Sequence, residues 1–130
     1  MKSESLREFA QDAVDAALYA NPNVQIICYE EGDYSGPHND HHPEDPLLHN
    51  GYIDLHINLP NDSVAHQWLV CERDGMLCEI VGLSGPGAIN VYRLPFWHFT
   101  TPLVTKRGRR DARRWLLLAT FARQPGDGAR

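Results

Sequence analysis

The chain has 130 residues, a formal net charge of −5 and 42% hydrophobic residues, which fits one domain over residues 1–130 that can bury a core without disulfides or a structural metal. The odd cysteine set Cys28, Cys71 and Cys78 argues against a secreted disulfide scaffold. The start MKSESLREFA lacks the apolar run of a signal peptide, and the longest apolar run, 115–122, is too short to cross a bilayer; a soluble cytoplasmic protein without a membrane partner is expected.

Charge is unevenly spread along the chain. Between Glu8 and Glu72 lie twelve acids and no Lys or Arg, whereas from Arg73 onward ten bases face four acids. Such asymmetry suggests a charged partner, or two faces that neutralise each other in the fold.

In chain order, Ser5 and Glu8 have capping-box spacing. Leu6, Phe9, Ala10, Ala13, Val14, Ala17 and Leu18 form one apolar stripe, so an amphipathic helix is expected up to Asn21-Pro22. Residues 24–30 read as a strand. The segment 31–50, with three prolines and two glycines, reads as a long acidic and histidine-rich loop. Residues 51–59 alternate, with Ile53, Leu55, Ile57 and Leu59 on the core side.

Asp74-Gly75 between two strand-like runs predicts a type I′ hairpin. That register would pair Arg73 with Met76, Glu72 with Leu77, and Cys71 with Cys78. Ser84–Gly87 reads as a turn and 88–94 as a strand. Pro95 and Pro102 disfavour a central strand over 96–105. The basic run KRGRRDARR, 106–114, leads into 115–122, where the propensity of Ala, Leu and Arg favours a helix starting near Arg109. The tail 124–130 reads as frayed. The fold class expected is α+β: the N-terminal helix on a mostly antiparallel sheet of four to six strands, as a single layer pair. The element order is similar to cystatin-like rolls and secretion-chaperone-like folds, an analogy of fold alone.

The stretch GPHNDHHPEDPLLHNGY, 36–52, concentrates four histidines and three acids with no Lys or Arg. His38, His41 and His42, with Asp54 and His56 from the following strand, are candidate ligands for a divalent metal such as Zn, Fe or Mn. The spacing matches no compact signature of the HExxH kind, so a solvated acidic loop is the first reading and a metal site the second. Cys71 or Cys78 with His66 lacks the electropositive surroundings of a reactive thiol, and the glycines near Pro86 precede a strand rather than a helix, against a phosphate cradle. The aromatic run 96–99 reads as core closure. The basic stretch beside aromatics could stack single-stranded nucleic acid, but the acidic balance makes that partner the third choice.

The function expected from these features is non-catalytic. A small acidic protein would dock or mask a protein partner with a basic surface, in the manner of immunity proteins, antidotes or chaperones, through Asp33, Asp40, Glu44 and Asp45 and without a cofactor. The alternative is a metal-dependent enzyme built on the histidine-rich loop.

Overall fold

Helix α1 (Ser3–Val14) forms, but is shorter than its apolar stripe. In the computed structural model, which describes residues 3–41 and 43–126, it ends where Asp15 enters the left-handed region at φ 49°, a conformation Asp tolerates better than most residues. Leu18, expected inside the helix, is instead fully buried beyond it and bridges to Arg123. The stripe therefore marks contact with the core rather than helix length.

The strands that follow are β1 (Asn23–Glu30), β2 (Ser35–His38), β3 (Tyr52–Pro60), β4 (Val64–His66), β5 (Trp68–Arg73), β6 (Met76–Gly82), β7 (Ile89–Leu94), β8 (Trp97–Thr100), β9 (Val104–Thr105) and β10 (Arg113–Ala122). They form two four-stranded sheets, ordered β1-β10-β3-β7 and β2-β8-β5-β6, and a ribbon of β4 with β9; every pairing is antiparallel. The chain is α+β with one short helix and mostly antiparallel sheets. No helix among the described residues is long and apolar enough to cross a membrane.

Layering follows from strand alternation. On one face of the first sheet, Ile53, Leu55, Ala119 and Phe121 pack against Ala10, Val14 and Leu18. The Val, Leu, Ile and Phe side chains among them contribute about 1.5–3 kcal/mol each when fully buried. The opposite face looks towards the second sheet, where Leu69, Cys71 and Leu83 meet Tyr92 and Phe96. The helix-on-sheet pair is thus one side of the first sheet, and a second sheet lies on the other. Leu59, expected in the core, is 52% exposed, while Asn58 beside it is fully buried, because β3 buries both faces over most of its length.

Three segments differ from expectation for identifiable reasons. Residues 113–122 are strand β10, not helix. Ala112, Arg114 and Leu116 are buried while Arg113 and Trp115 are exposed, a period of two, and hydrogen-bonded partners on both sides, β1 and β3, override helix propensity. Residues 97–100 form β8, an interior strand; Pro95 and Pro102 fall just outside it, so no ladder donor is missing. Inside the expected loop, Ser35–His38 pairs with β8 across a register shift. Gln124, assigned to the frayed tail, donates from its backbone to the Ala17 carbonyl at 3.0 Å and from its side chain to that of Leu18 at 3.1 Å; residues 127–130 lie outside the described set.

The hairpin forms as expected at its tip. Asp74 and Gly75 have φ of 54° and 76°, and Arg73 pairs with Met76 and Glu72 with Leu77. A bulge then shifts the register so that Cys71 faces Glu79 rather than Cys78, whose side chain lies outside the described set. Replacing Gly75 with Val forces a β-branched residue to positive φ, and the denaturation midpoint is expected to fall by the equivalent of about 1 kcal/mol or more. An unchanged midpoint in urea would contradict this account of the turn.

Candidate metal centre and buried cation

Two strands of the second sheet bring distant histidines together. His38 on β2 and His98 on β8 are direct cross-strand partners, so their side chains leave the sheet side by side. Their rings lie 4.3 Å apart, centre to centre. Just past β2 the chain reverses at Asp40, whose φ is 53°, an uncommon conformation that brings its carboxylate back over the two imidazoles. Tyr52 steadies this turn, its hydroxyl donating to the Asp40 carbonyl at 2.9 Å.

The resulting cluster could hold a metal ion. His38 Nε2 and His98 Nε2 are each 3.3 Å from Asp40 Oδ2, and the three ligand atoms all lie within 4.8 Å of one another. Ligand atoms about 2.1 Å from a common ion sit roughly 3.0–3.4 Å apart, a range that includes both Asp40 distances. Both rings are also oriented from behind. His38 Nδ1 lies 2.6 Å from the Gly36 carbonyl and His98 Nδ1 2.8 Å from that of Phe96. A carbonyl only accepts, so Nδ1 carries the proton in each ring and, in the neutral form, Nε2 keeps its lone pair for a ligand. The side chains of His38 and Asp40 remain 37% and 30% exposed, leaving the site open on one side.

Electrostatics ties the cluster to protonation. Burial alone would lower the His98 pKa, but the Asp40 hydrogen bond, the Phe96 carbonyl and the charges of Asp40 and Asp54 raise it above its ordinary 6.5. In the metal-free protein this group stabilises the fold below about pH 6.5, and the contribution is lost as pH rises through its folded pKa. A metal must displace that proton. Metal affinity, read by titration calorimetry at several pH values, is therefore expected to fall about tenfold per unit as pH drops below the raised pKa. An affinity flat across that window would contradict ligation through His98.

The cluster opens on a cavity of about 340 Å³ between the two sheets, lined by Tyr29, Tyr52, Asp54, Leu69, Arg114 and Leu116 among others. Arg114, on β10, is 1% exposed. Its Nε donates to Gln67 Oε1 at 2.7 Å, Nη1 donates to Asn58 Oδ1, and the guanidinium sits 4.5 Å from the centre of the Tyr29 ring. Gln67 and Asn58 are held in turn, their amide nitrogens donating to backbone carbonyls of Asp33, Thr101 and Ala88. No carboxylate among the described residues pairs with this cation, and burial lowers its pKa. An isolated buried charge costs on the order of several kcal/mol; an anion entering the cavity would supply its counter-charge. Elsewhere, on β7, Tyr92 Oη and Asn90 Nδ2 are buried without a hydrogen-bond partner. Burial, then the Cys71 thiol and Glu79 carboxylate, push the Tyr92 pKa up, so its hydroxyl remains a neutral donor.

The residues singled out in the sequence are sorted by this arrangement. His38 is in the cluster. His41 is exposed, its amide bonded to Asn39 Oδ1 at 3.1 Å, and His42 lies outside the described residues. Asp54 and His56 line the same cavity but stand apart from the cluster: Asp54 Oδ2 is 3.9 Å from His56 Nε2, and its Oδ1 accepts from the Thr120 hydroxyl at 2.6 Å. Of the docking set, Asp40 is a cluster member, Asp33 accepts from the Glu30 amide at 2.7 Å, and Asp45 caps a turn by accepting from the Leu47 amide at 2.8 Å. Glu44 is exposed beside His41 and Pro43 over a shallow depression. His98 and Arg114 are the additions. Neither carries a signal in the sequence: Arg114 follows Arg113 in a basic run whose alternation is one of burial, and the partner of His98 is set by strand pairing. No protein-family model, no curated protein and no solved structure matches this chain.

Proposed function

We propose that the chain is a mononuclear non-haem metal enzyme, with His38, Asp40 and His98 as the protein ligands and Fe(II) as the metal. Two imidazoles and one carboxylate on one side of an ion, with open positions facing a cavity, are the arrangement suited to oxygenase chemistry at Fe(II). The observation that carries the reading is the pair of Nε2 atoms converging on one Asp40 oxygen at 3.3 Å with both Nδ1 atoms tied to carbonyls. Bound there, the metal would supply dioxygen binding and activation.

The protein's own residues narrow the co-substrate. Insertion of one oxygen atom into a C–H bond uses two of the four oxidising equivalents of dioxygen. A 2-oxo acid supplies the other two electrons by losing CO2, and its shortened acid keeps the second oxygen atom. Arg114 favours a 2-oxo diacid: its unneutralised guanidinium, in the same cavity as the cluster, is suited to hold the far carboxylate. The apolar side chains Leu69 and Leu116 between the sheets keep water from competing for that pair. Untagged protein supplied with Fe(II), dioxygen and 2-oxoglutarate, the five-carbon member of the class, should release CO2 in a metal-dependent way. Metal-loaded protein that neither binds nor consumes any 2-oxo diacid would remove the co-substrate half of the proposal.

Docking of a protein partner with a basic surface is the second reading. The exposed Glu44, on the loop that follows Asp40, favours it, and it can coexist with catalysis if the basic protein is the substrate. Neutralising Glu44 and Asp45 should slow association and reduce its salt dependence. Docking alone, immunity- or chaperone-like, requires no metal, so its rates should survive removal of Fe(II).

A further inference from the structure

Helix α1 covers only part of its sheet face. Along β10 the outward residues run Arg113, Trp115, Leu117, Ala119 and Phe121, and α1 packs over Ala119 and Phe121. The half towards Arg113 is open. There Ile26 pairs with Leu117, Leu117 with Ile57, Ile57 with Ile89, and Trp115 with Leu59. Ile26 is 70% exposed, Trp115 48% and Ile89 47%. Neighbours in register make this one continuous apolar surface, of the kind that marks an interface.

Charge at the two ends indicates what covers it. Beyond the Arg113 end lies the 106–112 loop, where Lys106, Arg107, Arg109 and Arg110 are all exposed. Over the other half lies α1, whose outer side exposes Glu8, Asp12 and, at 47%, the ring of Phe9, with Asp15 exposed just past its end. The face is therefore basic at one end, acidic at the other and apolar between. We infer that a second copy of this chain covers the open half-face. A two-fold axis across the strands sets each copy's α1 on the other's open half. Phe9 then meets Trp115, and the acids of α1 lie beside the partner copy's basic loop. Such an interface is isologous, with the same patch used twice, and the two helices form a single layer between the two sheets.

Sedimentation of the full chain over a micromolar range tests this. A dimer is expected that Trp115→Glu converts to monomer. Ile26→Glu, on an edge strand, should act alike and guards against misfolding of the tryptophan variant. Arg109→Glu with Arg110→Glu should weaken the dimer and reverse its salt dependence, because added salt then screens a repulsion between like charges. Adding Asp12→Lys and Asp15→Lys to that variant should restore it, since the charges are exchanged across the interface. A wild-type chain that stays monomeric at high micromolar concentration overturns the inference and leaves the face to a different protein. A dimer indifferent to both Trp115→Glu and Ile26→Glu overturns it as well.

Discussion

Arg114→Met is expected to weaken 2-oxo diacid binding strongly while leaving Fe(II) binding intact. Truncating one partner of a buried charge pair costs about 2–5 kcal/mol, roughly 30-fold or more in affinity. The proposed metal ligands lie on β2, on β8 and in the turn after β2, away from Arg114 on β10, so calorimetric titration with Fe(II) should be unchanged. Stability should move little, because two effects oppose one another. Removing an uncompensated buried charge stabilises the fold, while the oxygens of Gln67 and Asn58 lose their donor, at about 1–3 kcal/mol each if left dry. Arg114→Lys keeps the charge but not the planar fork and should recover only part of the affinity. A diacid that binds the methionine variant as well as the wild type would place the anion elsewhere.

Asp40→Ala and His98→Ala should each lower Fe(II) affinity by more than the roughly 10–100-fold typical of losing an outer supporting group. The two can be told apart without metal. Asp40 is the chief influence raising the His98 pKa against burial, so in Asp40→Ala the His98 proton, followed by NMR, should titrate at lower pH. The metal-free fold should then lose the extra stability it gains on the acid side, because that gain exists only while His98 binds its proton more tightly folded than unfolded. His41→Ala, on an exposed side chain outside the cluster, should leave both readouts unchanged. Equal loss of metal from His41→Ala and His98→Ala would mean that the loop, not the β2–β8 pair, holds the ion.

What the sequence conveyed divides by range. The Asp74-Gly75 tip, the presence of α1 and the strands around 24–30, 52–60 and 89–94 are set by neighbours in the chain, and their patterns are readable one window at a time, although Ser5, expected to cap α1, lies within it because the helix already includes Ser3. The bulge that takes Cys71 past Cys78 is not, since it answers to the fit of β5 between β6 and β8. Helix propensity misleads over 113–122 because a strand with neighbours on both sides gains more from its two ladders than Ala and Leu gain from a helix.

The site follows the same division. His38 and Asp40, two residues apart, stand out in a segment dense in histidine and acid. The second imidazole comes from a run of aromatics whose pairing with β2 is visible only in the assembled sheet. Arg114 is hidden in a basic run that reads as solvated. Its neighbour Arg113 is indeed at the surface, with Nε 3.0 Å from Glu30 Oε1, and one step of a period-two alternation separates the two fates. Buried charge without a counter-charge is a property of position, which composition does not carry.

The proposed function stands on one metal ion held by His38, Asp40 and His98. Anaerobic calorimetric titration of untagged protein with Fe(II), run beside the Asp40→Ala variant, tests it most directly. The account predicts one equivalent bound per chain, with release of the proton that His98 holds below its raised pKa, and loss of that binding in the variant. Absence of saturable binding in the wild type, or the same binding in Asp40→Ala, would contradict it.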